Sequence, residues 1–403
     1  MADSNKPKIK LQKYFENPYD LSVASARTCY SPKVVSDDEI TEGQRERIGK
    51  GCFEAGHHTV FQHAMFNFSI ENVSRHFVWA FLHSHPFYNS DQSSQRYVKL
   101  DEVKAKVPPL KGENLELYNK TVVRAWEVYN NLTELLIPVI KELDNKKDDK
   151  LIEKKAIELA RYVIPVSAQT SLTHTINGLT LFRLYKLMNQ YPVQFEAKEV
   201  VSEMVKEVER KDPEFFRDLD DPIPIEKTLE YQLIQNFKPK PEKFISEFDS
   251  ELGKYSSKLV DYTEKSEKIM ADSVRAVLAT PDLSDEEAID SVLNPKKNDY
   301  LLSMLNLSTI SPLMRAMNHP YFVFKKKISH TADSQDQRHR TVPASRPVLI
   351  FHDSKEPDYI TPKLIEDNPE IKKVYDNYMS KVWEAKNKLL ENGAKPEHAQ
   401  YLL

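Results

Sequence analysis

The chain has 403 residues, 57 Lys+Arg against 61 Asp+Glu for a formal net charge of −4, 8 glycines and 2 cysteines. Length alone calls for two domains, the slight acidity argues against a non-specific nucleic-acid binder, and Cys29 and Cys52 make no disulfide framework and fit a reducing compartment. No phosphate loop of the form G-x-x-x-x-G-K-[ST] is present and Gly49, Gly51 and Gly56 have the wrong spacing for a dinucleotide fingerprint, so any nucleotide must be held by arginines and histidines.

At the start, "MADSNKPKIK" lacks the apolar core of a signal peptide, and the longest apolar runs resemble "LLIPVI", too short to span a membrane; a cytoplasmic protein without membrane contact is expected. Near residue 60, "GHHTVFQHAMFNFSI" alternates aromatics as a half-buried strand does. His57, His58, His63, His76, His83 and His85 fall close together, yet no H-x-x-x-H or C-x-x-C accompanies them, so no metal site is expected. In "YNSDQSSQRYV" (88–98), Ser94 and Arg96 share a face if the segment is extended, and a hydroxyl beside a guanidinium grips phosphate or carboxylate; a solvated turn is the plainer reading. The stretch "LELYNKTVVRAWEVYNNLTELL" has an apolar face at helical spacing. Arg161 follows in a largely apolar helix, as either an ion-pair partner or an anion ligand. A proline- and charge-rich connector, "FKPKPEKFISEFDSELGKYS" (237–256), precedes the second part. There the densest local charge is Arg338-His339-Arg340, three neighbours that repel unless an anion, or simply solvent, offsets them.

The two parts repeat one pattern. H-x-x-F-x-F occurs as His63, Phe66, Phe68 and as His319, Phe322, Phe324. Twenty residues on stand His83 and His339, which sets "LHS" (82–84) against the R-H-R triplet. "IELARYVIP" (157–165) then matches "PEHAQYLL" (396–403). The chain therefore reads as two tandem α+β units, helix-rich with antiparallel sheet: 1–236, a linker at 237–256, and a C-terminally shorter unit at 257–403.

Taken together, "GHHTVFQHAMFNF", the R-H-R register, "DQSSQRY" and "ELARYVIP" followed by "TINGLTLFRLYKL" resemble the flavin-dependent thymidylate synthases, over residues 20–210 and more weakly over 260–403. The resemblance implies reductive methylation of dUMP to dTMP, with FAD as cofactor and methylenetetrahydrofolate and NADPH as co-substrates. It implies flavin contacts from His57, Asn177, Arg338, His339 and Arg340, and nucleotide contacts from Gln92, Ser94, Arg96, Tyr97 and Arg161, with Ser94, Arg96, Arg338 and Arg340 closest to the chemistry. Each unit departs from the family where the other keeps to it. The first has no R-H-R, carries Gln92 for a glutamate and Met188 near the family's late arginine. The second has Leu313 for the flavin histidine, Gln400 for the phosphate arginine, and a loop in which only Ser345 and Arg346 resemble S-x-R. A single site shared between the halves is expected, in a homodimer of two-unit chains that imitates the family's tetramer. The alternative is a relative that binds flavin or nucleotide without synthase activity.

Overall fold

The computed structural model describes residues 5–143, 148–191 and 194–403. In chain order its principal elements are β1 (Lys8–Tyr14), α1 (Pro18–Thr28), β2 (Met65–Ser74), α2 (Arg75–His83), β3 (Asn89–Gln92), α3 (Gly112–Leu143), α4 (Asp149–Ala160), β4 (Gln169–Asn177), α5 (Gly178–Lys186), α6 (Gln194–Glu209), α7 (Pro241–Leu252), β5 (Ser257–Tyr262), α8 (Ser266–Leu278), α9 (Asp285–Leu293), β6 (Phe322–Lys326), α10 (His330–Asp336) and α11 (Pro369–Glu391). The chain forms two compact units, Met1–Phe244 with Ser329–Leu403, and Ile245–Ile328. The connector read from the sequence is helical over α7.

The larger unit is built on an antiparallel sheet of order β1-β2-β4-β3. In β2 the alternation foreseen from the sequence is present: Phe66, Phe68 and Ile70 are fully buried, and Asn67 and Ser69 between them are not. In β4, Leu172, His174 and Ile176 point inward. Gly178 follows, where a Cβ would lie 2.7 Å from the Phe61 carbonyl oxygen and run into the Phe215 ring, so the close approach of strand and loop requires glycine. Helix α3 buries Tyr118, Val122, Ala125, Tyr129, Leu132 and Leu136, one stripe at three- and four-residue spacing. It packs against α11, which buries Tyr375, Val382 and Leu389 in the same core. The two helices, "LELYNKTVVRAWEVYNNLTELL" within α3 and "IKKVYDNYMSKVWEAKNKLLENG" at α11, follow H-x-x-F-x-F in the first and second halves of the sequence and cover one another. This is why compactness divides the chain at other points than the repeat does: shared apolar surface, not repeat order, decides which segments condense together.

The smaller unit pairs β5 with β6 and packs α8 and α9 over a short core of Met270, Ala271, Val274, Ala288, Val292, Met314 and Ala316. Ser284 caps α9 in a box with Glu287.

Local geometry refines the repeat. Ser74 caps α2 by accepting from the Phe77 N–H, and Ser329 caps α10 by accepting from the Ala332 N–H. From His63 to Ser74 is eleven residues; from His319 to Ser329 is ten. The extra residue is absorbed by a bulge between Ile70 and Val73, where Asn72 has φ 60°. Measured from the caps, R-H-R stands opposite His83-Ser84-His85, not opposite Leu82-His83-Ser84; the equal His-to-His spacing concealed two offsetting differences. Further on, Arg161 (φ −61°, ψ −10°) and Gln400 (φ −61°, ψ −21°) each end a helix and open a 3-10 turn, so that match is structural as well as sequential.

Candidate active site

Two groups of arginines come together in the larger unit. The first gathers where α2 begins and α4 ends. Arg75 donates from Nη2 to the Ser93 carbonyl at 2.6 Å. Burial, reinforced by the charge of Arg161, pushes its pKa down to about 10. Arg161 is buried, donates from Nε to the Glu158 carbonyl at 3.2 Å, and is likewise shifted downward by burial, with the Glu158 carboxylate opposing and Arg96 adding to the shift. Arg96 lies 3.6 Å from the Glu158 carboxylate and over the Tyr97 ring, and its Nε is buried without a partner. Arg96 and Arg161 thus share the Glu158 carboxylate, which Lys155 also reaches at 3.5 Å, and Arg75 feels the charge of Arg161, a surplus of positive charge that favours an anion. Arg75 was not singled out from the sequence. Its signal was a lone arginine in the apolar helix "RHFVWAFLH".

The segment carrying Ser94, Arg96 and Tyr97 is not extended. Strand β3 stops at Gln92, and a turn follows with Tyr97 and Val98 donating to the Ser94 carbonyl at 3.2 and 3.0 Å. The Ser94 hydroxyl accepts from the Arg96 N–H at 3.2 Å, so the pair is brought together by a local turn and not by shared strand facing. Tyr97 is exposed.

The second group is the R-H-R turn. It ends α10, which lies beside α2: Trp79 Nε1 donates to Asp333 at 2.7 Å, His83 Nδ1 is 3.9 Å from the same carboxylate, and Arg346 Nε reaches it at 2.8 Å. Burial raises the Asp333 pKa, but the hydrogen bonds from Arg346 and Trp79 outweigh it and hold the carboxyl below its ordinary value. Arg346, expected from its sequence to resemble a nucleotide-loop arginine, is spent on this ion pair, and Ser345 is exposed. From this anchor Arg338 extends to Asp91 at 3.4 Å and Arg340 lies 5.0 Å over the Tyr88 ring. The Arg338–Asp91 pair is 65% and 88% exposed and contributes at most about 1 kcal/mol; Asp333 therefore does more to position the turn. His339 is exposed.

Between R-H-R and β3 lies a cavity of about 200 Å³ lined by Leu82, Tyr88, Asn89, Ser90, Asp91, Gln92, Gln337, Arg338 and Arg340. Gln337 Oε1 is buried and without a partner. The lining thus joins the start of the chain to its last quarter. Asn177 caps α5 by accepting from the Thr180 N–H at 2.8 Å and follows Thr175, which faces Asn89 across the ladder. His57 is exposed and leads into the turn before β2. Met188 is part of the hydrophobic core at 9% exposure, Gln400 is buried, and Leu313 belongs to the smaller unit. Among the described residues no group of three metal ligands occurs and no helix is long and apolar enough to cross a membrane.

Comparison with known proteins decides the family. The sequence description of the thymidylate synthase complementing proteins matches residues 10–214 and 258–403. The chain belongs to this family. The flavin-dependent thymidylate synthase of Clostridium tetani is 30% identical over 215 residues, covering 52% of this chain and 85% of that one. That of Nitratidesulfovibrio vulgaris is 26% identical over 220 residues, covering 52% and 85%. Among solved structures, the flavin-dependent thymidylate synthase ThyX from Helicobacter pylori complexed with FAD and dUMP aligns with TM-score 0.37 and 22% identity over 53% of this chain and 99% of that chain. The match falls in two segments that leave 215–257 uncovered.

Proposed function

We propose that the chain is an FAD-dependent thymidylate synthase, converting dUMP to dTMP with methylenetetrahydrofolate and NADPH as co-substrates, at one site shared between its two halves. The observation that carries this reading is the closure of Arg338 and Arg340 on Tyr88 and Asp91, the second half's cations on the first half's strand. The residues suit a flavin and a nucleotide. Two guanidinium groups, an aromatic face and an unpartnered buried amide oxygen form a wall for a flat, anionic heterocycle. When bound, the flavin supplies the hydride chemistry; the chain's part is binding, orientation and charge. Arg338, His339 and Arg340, with His57 and the Asn177 amide N–H₂, are the flavin side. Arg96, Arg161 and Arg75, with Ser94, Gln92 and Tyr97, are the nucleotide side, where the surplus cationic charge takes the phosphate. Neither cysteine enters the site, so no thiol nucleophile is invoked.

Purified protein should absorb near 450 nm as flavoproteins do, and should release tritium from dUMP labelled at C5. Arg340→Ala should abolish flavin retention and turnover together, and Arg96→Ala should abolish dUMP binding. Turnover that survives the loss of both Arg338 and Arg340 would end the shared-site reading. Met188, apolar and buried where the family has a late arginine, favours a second reading: a member that binds FAD and dUMP without turnover. Flavin binding without tritium release selects it. Two chains in a cytoplasmic homodimer of four units complete the proposal.

A further inference from the structure

The cavity between R-H-R and β3 holds one buried polar atom with nothing to bond to. Of its nine lining residues, Gln337 is the one with a buried side-chain oxygen or nitrogen that lacks a partner among the described residues, its Oε1. The residue is 7% exposed. The repeat shows that the fold does not require an amide there. Counted from the capping serines, Gln337 stands eight residues after Ser329 and Leu82 eight residues after Ser74, so the two are counterparts. Both are buried and both line this cavity. The first half fills the position with an apolar side chain; the second half puts a carboxamide there, beside Arg338. Packing alone favours the leucine, since a buried amide oxygen without a partner loses its hydration and gains nothing in return. The backbone that carries the amide is fixed. The Gln337 N–H donates to the Asp333 carbonyl at 3.2 Å, and the Asp333 carboxylate is held in turn by Trp79 and Arg346.

The neighbours decide what this amide can read. Arg338 and Arg340 carry only donors. The Asp91 carboxylate already faces Arg338, and the Ser90 hydroxyl donates to the Thr173 carbonyl at 3.1 Å. A ring that offers carbonyl oxygens to the guanidinium groups, with an N–H between those carbonyls, therefore calls for one acceptor. Gln337 Oε1 is the buried acceptor of the lining that has no partner among the described residues. The terminal torsion of a glutamine is broad and roughly two-fold, so the oxygen turns from its covered position toward the cavity with no movement of the main chain. At about 200 Å³, the volume of roughly seven waters, the cavity admits one six-membered ring, either a free pyrimidine or the pyrimidine end of a larger system.

We propose that Gln337 is a specificity-determining residue that reads an imide edge, the C(=O)–NH–C(=O) of a pyrimidine-2,4-dione, its Oε1 accepting from the ring N3–H while Arg338 and Arg340 serve the flanking carbonyls. The inference rests on the synthase reading, in which two ligands carry this edge: the isoalloxazine of FAD and the uracil of dUMP. It adds to that reading a residue whose role is not charge. A guanidinium cannot accept a hydrogen bond, so the triplet by itself does not distinguish a ring with a free N3–H from one without it. A site that supplies the matching acceptor does, because a blocked ring leaves the buried oxygen unpaired.

The test is a binding titration of the full chain with FAD and N3-methyl-FAD, and then, with FAD present, with dUMP and N3-methyl-dUMP. The unaltered protein should bind at least one parent compound about tenfold or more tightly than its N3-methyl form, the effect of one hydrogen bond to a buried acceptor. Gln337→Leu, the residue the chain itself places at the counterpart position, should weaken that parent about tenfold and bring the two forms within about threefold of each other. Circular dichroism melts verify its fold. Loss of the preference in the flavin pair assigns the edge to the isoalloxazine, and loss in the dUMP pair assigns it to the uracil. The proton resonance of the N3–H, in ligand isotope-labelled at N3, should move downfield on binding the unaltered protein and not on binding Gln337→Leu. No preference for either N–H form in the unaltered protein overturns the proposal whatever the variant does. So does a preference that Gln337→Leu leaves intact in both pairs, and in either case binding of FAD and dUMP leaves the synthase reading standing. An unaltered chain that binds neither FAD nor dUMP overturns both.

Discussion

Replacing Asp333 by alanine removes the anchor of the R-H-R turn. Three groups lose a partner: Trp79 Nε1 at 2.7 Å, Arg346 Nε at 2.8 Å, and the more distant His83 at 3.9 Å. A hydrogen bond to a charged acceptor contributes about 1.5–3 kcal/mol. The Arg346 pair, with side chains 20% and 15% exposed, is screened in part and adds about 1 kcal/mol. A loss of ~3 kcal/mol in the docking of α10 follows, about a 150-fold rise in its open population. Hydrogen exchange reads this directly at the amides of Ala332, Asp333 and Gln337, which are bonded only within α10 and its cap. Because Asp333 is held below its ordinary pKa, its contribution is present at neutral pH and fades as pH falls through that lowered value. Asp333→Asn should lie between the two. Protection within threefold of the unaltered chain in Asp333→Ala would refute the argument and leave the exposed Arg338–Asp91 pair as the anchor.

The buried histidines set an acid limit. Burial is the main cause that holds His76 and His174 at about 3 and His83, His85 and His330 at about 4, against an ordinary 6.5. The unfolded chain binds protons below 6.5 that the folded chain does not, so stability falls on acidification, by about 1 kcal/mol per histidine between pH 7 and 5.5; urea unfolding at the two values checks this, and His76→Phe should flatten the slope by one histidine's share. Glu196 is fully buried and accepts from the Ser74 N–H and hydroxyl at 2.6 Å and from the Tyr401 hydroxyl at 2.5 Å. Tyr401→Phe should therefore cost about 1–3 kcal/mol in denaturant unfolding. Arg75→Lys keeps the charge but not the reach to Ser93, and should weaken dUMP binding about tenfold in titration calorimetry while the fold is retained.

Much of the candidate site was legible because short-range chemistry wrote it. The alternation in "MFNFSI" requires a strand with Phe66 and Phe68 inward, the stripe in α3 requires a buried helix face, and the motif order carried the family. The R-H-R turn was legible as a cation cluster seeking a partner. Its partner was not. Nothing local to residues 338–340 says that Tyr88 and Asp91, some 250 positions earlier, lie opposite, or that Arg346 is spent on Asp333. Arg75 escaped notice because a single arginine in an apolar helix is ambiguous until its neighbours are known, and the segment at Ser94 is a turn, the plainer of its two sequence readings, because its own backbone hydrogen bonds close there.

The amino-acid sequence by itself determined the alternation of β2, the apolar stripe of α3, the recurrence of H-x-x-F-x-F and the family, since each depends on residue spacing along the chain. Only the tertiary structure decided which repeat covers which. Helix α11 condenses on α3 because both offer an apolar stripe that must leave water, and α10, held to α2 through Asp333, sets R-H-R beside the first half's strand. Burial is a property of pairs of surfaces, and a linear sequence specifies the surfaces without naming the pairs.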